Sequence, residues 1–139
     1  MGGKILLAAI LVLALVAIAF SPANHALLYE DQLYELDLFS RCNDIGQALK
    51  TGNASPYVRR HLQVLREEVS ALEPGDASLE SINGIYLQCI DLLILAADAT
   101  AAGDAESAQL TLTQAQASFS QAEHQLNEYR RIFEQENLP

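Results

Sequence analysis

Two habits of hydrophobic patterning divide this chain. From Ile5 to Phe20 run sixteen consecutive apolar residues. From Asn24 onward, apolar residues instead recur in the steps of three and four that mark amphipathic helices. Over 56–73, Val58, Leu62, Leu65, Val69 and Leu72 step by four, three, four and three. Over 105–135 the seam is longer: Ala105, Ala108, Leu112, Ala115, Phe119, Ala122, Leu126, Tyr129 and Phe133. Large residues occupy one position of this repeat and mostly Ala the other, which lets helices approach closely and interlock.

Three short segments punctuate the pattern: Thr51-Gly52-Asn53-Ala54-Ser55-Pro56, Glu73-Pro74-Gly75-Asp76 and Gly103-Asp104. Gly52, Gly75 and Gly103 suit the left-handed conformation that ends a helix. Ser55, Asp76 and Asp104 suit the cap of the next amino terminus, and Pro56 stands where a missing N–H costs nothing. The pattern therefore predicts four helices, at roughly 25–50, 56–73, 77–102 and 105–135. Short loops make sequential helices antiparallel, so the expected fold is all-α: an N-terminal hydrophobic helix followed by an up-down-up-down four-helix bundle.

The third predicted helix is less amphipathic than its neighbours. Ile82, Ile85, Tyr86, Cys89, Ile90 and Leu93 form one stripe, and Leu87, Leu92, Ile94 and Leu95 broaden it. Only Ser81, Gln88, Asp91 and Asp98 keep a thin polar line. Such a helix is buried on most sides or meets another molecule. Leu87, Ile94 and Leu95 are the candidate partner face.

Residues 1–23 read as an export segment. Met1-Gly2-Gly3-Lys4 is a short basic start, and Ser21 and Ala23 are small residues at −3 and −1 of a cut after Ala23. The rival reading is an uncleaved anchor through residues 5–20. Sixteen helical residues span about 24 Å, short of a hydrocarbon core of about 30 Å, although local thinning of the bilayer reduces that difference. Both readings keep Lys4 in the cytoplasm and put residues 24–139 outside it, secreted or held at the cytoplasmic membrane.

Charge and cysteine content sharpen this picture. The 139 residues carry a formal net charge of −10, and residues 24–139 hold all 18 acidic side chains. That balance excludes nucleic acid as a partner, because its affinity rests on Lys and Arg against phosphate. Outside the cytoplasm, the two cysteines, Cys42 and Cys89, are expected to form a disulfide. Counting residues up and down the expected bundle puts them about three residues apart in height, roughly 4.5 Å.

The pattern offers little chemistry. His25, His61 and His124 have no Glu three places before them, so the di-iron motif is absent, and no phosphate-binding Gly loop occurs. No catalytic, metal or cofactor-binding residue is assigned, and the chain is not expected to be an enzyme. Glu30, Asp31, Glu35 and Asp37 crowd the start of the first helix as a solvated face, with a weak divalent-cation site as the sharper alternative. Ser107 to Ala122 is free of charge and reads first as an ordinary solvated face, which would also tolerate contact with another protein without desolvating ions. The expected role is protein–protein interaction, self-association or scaffolding at or near the membrane. A small-ligand-binding or sensor-like bundle is the alternative. Intact mass of the native protein, before and after reduction, tests the export reading: a chain beginning at Asn24 is expected, and a full-length mass means an anchor.

Overall fold

A computed structural model describes residues 22–136, and those residues are all-helical. Five helices occur among them: α1 (Pro22–Glu35), α2 (Leu38–Lys50), α3 (Pro56–Ser70), α4 (Ala77–Ala101) and α5 (Ala105–Glu136). The expected N-terminal hydrophobic helix lies outside the described residues. The punctuation works as its chemistry dictates. The Ser55 hydroxyl accepts from the Val58 N–H, the Asp76 carboxylate from Leu79 at 2.8 Å, and Asp104 from Ser107 at 3.1 Å. All three stop glycines have positive φ. Gly75 is doubly constrained, because a Cβ there would also lie 3.2 Å from the His25 ring of α1.

The single helix expected over 25–50 is broken. Asp37 adopts the left-handed conformation (φ 53°, ψ 42°) and separates α1 from α2. The reason lies in the phase of the apolar stripe. Ala26 and Tyr29 are buried, and Leu33 and Leu36 pack half-buried behind them. An unbroken helix would continue that seam through Ser40, Asn43, Gln47 and Lys50, all polar. The break shifts the phase, and Leu38, Cys42, Ile45 and Leu49 are buried instead. Asp tolerates the left-handed region better than most residues, at a cost of order 1 kcal/mol. Burial of even one of these large side chains contributes more than that. The carbonyl of Leu36, left over at the break, accepts from Arg41 Nη1 at 3.1 Å.

Pairs of contacts fix the register of the remaining limbs. Arg59 bridges to Asp98 and Arg66 to Asp91 across α3 and α4, seven residues apart on both helices, so the two run antiparallel. Asp76 accepts from the Tyr129 hydroxyl and Tyr86 packs edge-on against Phe119, which sets α4 antiparallel to α5. α1 pairs with α5 through Glu30 and Arg130 at 2.8 Å. α4 is the helix most enclosed by others and touches α2, α3 and α5. It is also, among the described residues, the one helix long and apolar enough to cross a membrane. Its Asp91 and Asp98 would then face hydrocarbon; here they are paired with arginines of α3.

A buried polar relay ties three helices together at the lower end of the core. The Tyr29 hydroxyl, on a fully buried side chain, donates to Asn83 Oδ1 at 2.8 Å. Asn83 Nδ2 in turn donates to the Val69 carbonyl at 3.0 Å, in the last turn of α3 where helical partners run out. Nearby, Gln32 exchanges two hydrogen bonds with the backbone of Glu73, each 3.2 Å. These contacts hold α1 against the α3–α4 turn. If rephasing at Asp37 is the organising feature, Asp37→Val should lower stability by about 1–2 kcal/mol while Asp37→Gly should cost nothing, read from chemical denaturation of the protein.

Candidate functional site

The rephasing leaves a cleft between α2 and α5. α2 leans on α4 and makes only sparse contact with α5, so two adjoining recesses open along the seam. One, of about 290 Å³, has Cys42 and Gly46 of α2, Cys89 and Leu93 of α4, and Leu112 and Ala115 of α5 among its walls. The other, of about 470 Å³, lies towards the break and is lined by Leu33, Tyr34, Tyr86, Leu126 and Arg130. Phe39 and Phe119 line both. Their ring centroids are 5.8 Å apart, and the Tyr86 ring meets Phe119 edge-on at 5.3 Å. Phe119 is thus a shared wall, held from the α2 side by Phe39 and from the α4 side by Tyr86.

The two cysteines meet on the floor of the smaller recess. Both are buried free thiols, not joined by the expected disulfide. Their surroundings make them unequal. The neighbouring Cys89 thiol holds the Cys42 thiol below its ordinary value, with burial opposing and the Arg41 charge assisting. Cys89 is pushed up by the neighbouring Cys42 thiol and by burial. Arg41 is itself well held, its guanidinium reaching Glu68 at 2.7 Å and His61 Nε2 at 3.2 Å. His61 accepts in that contact and stacks near Tyr57, with ring centroids 6.3 Å apart.

The other expected residues are more scattered. Leu87 and Ile94 are half-buried and pack against the core, whereas Leu95 is 57% exposed. The three do not make a continuous exposed face. Of the acidic group at the chain's first helix, Glu30 pairs with Arg130, Asp37 forms the break, and Asp31 and Glu35 are exposed. No three His, Cys, Asp or Glu side chains among the described residues gather where they could hold a metal. The uncharged stretch of α5 contributes Gln116 and Ser120 to the rim of the thiol recess. Sequence reasoning placed Phe119 in the seam of the last helix but missed Phe39 and the cleft itself. The available signal was Phe39-x-x-Cys42-x-x-x-Gly46, an aromatic, a thiol and a glycine on one helical face beside a seam that changes phase.

Glu30 sits where the cleft meets α1, and burial raises its carboxyl above the ordinary range, more than Arg130 lowers it. An acid raised in the folded state contributes stability below its unfolded pKa and loses it as pH rises through the folded one. Glu30→Gln is therefore expected to raise the melting temperature near pH 7 and to lose that advantage near pH 3, followed by thermal denaturation across pH. Comparison with known proteins adds no relative: no family model matches the chain, and no curated protein or solved structure is significantly similar to it.

Proposed function

We propose that this chain is an exported, non-enzymatic four-helix bundle that binds another protein, or a second copy of itself, at or near the cytoplasmic membrane. In this reading α1 and α2 together form the first limb of an up-down-up-down bundle, and the apolar run of residues 5–20 is the export segment or anchor. The observation that carries the reading is apolar surface left uncovered on that limb. Leu27 and Leu28 are half or more exposed, Tyr34 is 88% and Phe39 64% exposed, all within the broken first limb. Singly exposed apolar residues are ordinary, but Tyr34 and Phe39 line one cleft together, with Phe119 of α5 in its wall. Exposed aromatic side chains inside a rim that carries Glu30, Asp37, Glu123 and Arg130 match the apolar centre and polar rim of a protein interface. Leu95 on α4 is the secondary contact point retained from the expected partner face.

The cleft also favours a second reading, a small apolar ligand held against Phe119. A recess of about 290 Å³ is at the lower end of ligand-site volumes, and its mixed apolar and polar rim suits orientation of a small molecule. A photoreactive residue at position 39 or 95, carried by the chain in its own cells, separates the two. The protein-partner reading expects crosslinks at position 39 to another polypeptide or a second copy. Absence of polypeptide adducts at both positions overturns it. Saturable uptake of an apolar dye that Phe119→Ala abolishes supports the ligand reading in its place.

A further inference from the structure

The thiol pair has more chemistry than a structural crosslink needs. Cys42 and Cys89 are free thiols that line one recess open to solvent. Access is from the α2 side. Gly46 lies one turn beyond Cys42 on the same wall, and a Cβ built there would meet nothing within 4 Å. The mouth of the recess is therefore open next to Cys42. Cys89 sits deeper, 3% exposed against 8% for Cys42, among the buried Tyr86, Ile90 and Leu93. Arg41, adjacent in sequence, adds a positive charge on the Cys42 side.

We propose that Cys42 and Cys89 are a redox-active pair in which Cys42 is the attacking sulfur, Cys89 the resolving one, and the recess admits a low-molecular-weight disulfide as oxidant. The Cys42 thiolate attacks one sulfur of R–S–S–R, forming a Cys42–S–S–R bond and expelling one thiolate, R–S⁻. Cys89 gives up its proton to solvent and attacks Cys42 Sγ, which breaks the mixed disulfide and expels the second R–S⁻. Two electrons pass from the protein to the oxidant, and two R–SH molecules leave with a Cys42–Cys89 bond in place. That bond ties α2 to α4 behind the Phe39–Phe119 pair, so the oxidation state of the pair governs whether α2 can move away from the cleft. The inference rests on the cleft geometry and stands apart from the identity of any protein partner.

The test uses the purified protein, reduced with a phosphine and then exposed to 2-hydroxyethyl disulfide without denaturant, with intact mass followed over time. The wild type is expected to lose two hydrogens and accumulate little adduct. Cys89→Ser is expected to hold one stable adduct, and Cys42→Ser to react at least about tenfold more slowly, since rate follows thiolate fraction and access. Gly46→Leu, which the open space beside Gly46 accommodates, is expected to slow oxidation of the otherwise unaltered pair. Equal rates for the two serine variants overturn the proposal, as does reaction only after unfolding. If either serine variant fails to fold, as read by circular dichroism, the Gly46→Leu chain decides: oxidation as fast as the wild type overturns the role of the recess.

Discussion

The placement of α2, and the cleft beside it, depend on a change of phase. The first limb carries two apolar stripes, Ala26 to Leu36 and Leu38 to Leu49, that a single straight helix cannot point at one core. A left-handed residue at Asp37 turns the second stripe back towards α4. Four large or medium apolar side chains are buried as a result, against a local backbone cost near 1 kcal/mol, so burial wins by a wide margin. The same turn brings Cys42 and Cys89 to one recess, frees the Leu36 carbonyl for Arg41, and leaves α2 in only sparse contact with α5. The cleft is therefore a consequence of the packing solution and no separate device is needed to open it.

Register, by contrast, is specified by polar contacts of unequal weight. The Arg59–Asp98 and Arg66–Asp91 bridges lie on the surface, with side chains about half exposed, and pairs of that kind contribute ~0–1 kcal/mol each. Their value is in specifying which turn of α3 faces which turn of α4. The Tyr29–Asn83–Val69 relay is different, because all its groups are withdrawn from water. Removing one member strands the others, which costs about 1–3 kcal/mol for each buried group left unsatisfied. That relay, the Gln32–Glu73 exchange and the His25–Gly75 contact all lie at one end of the molecule, so α1 is anchored there while α2 is held chiefly by its own apolar stripe and by Arg41.

Much of the helical architecture was legible because helix ends are written in local chemistry. Ser55, Asp76 and Asp104 cap the helices they precede, and α3 buries Val58, Leu62, Leu65 and Val69 in the expected steps. In the seam of α5, Ala108, Ala115, Ala122, Leu126 and Tyr129 are buried, Leu112 and Phe119 are half-buried, Ala105 is exposed, and the Phe133 side chain lies outside the described residues. Legibility fails at Asp37, where no Gly or Pro marks the break. Both α1 and α2 are helical by composition, and only the polar quartet Ser40, Asn43, Gln47 and Lys50, standing where apolar residues were due, records the discontinuity. The candidate partner face shows the same difficulty. A stripe broader than one face identified Leu87, Ile94 and Leu95 together, but a helix with neighbours on several sides absorbs Leu87 and Ile94 into the edge of the core and leaves Leu95 outside.

What the sequence by itself determined is therefore the all-helical class, most helix boundaries, the approximate height match of Cys42 and Cys89, and the acidic character of the chain. These follow from short-range rules: capping, periodicity, and the rise of a helix per residue. Tertiary structure alone decided the break at Asp37, the pairing of Tyr29 with Asn83, the aromatic wall of Phe39, Phe119 and Tyr86, and the recess above the two thiols. The physical reason is that each depends on how helices far apart in sequence divide a common core. Phe39 and Phe119 are eighty residues apart, and no local propensity records that their rings will meet across a gap that α2 leaves when it turns towards α4.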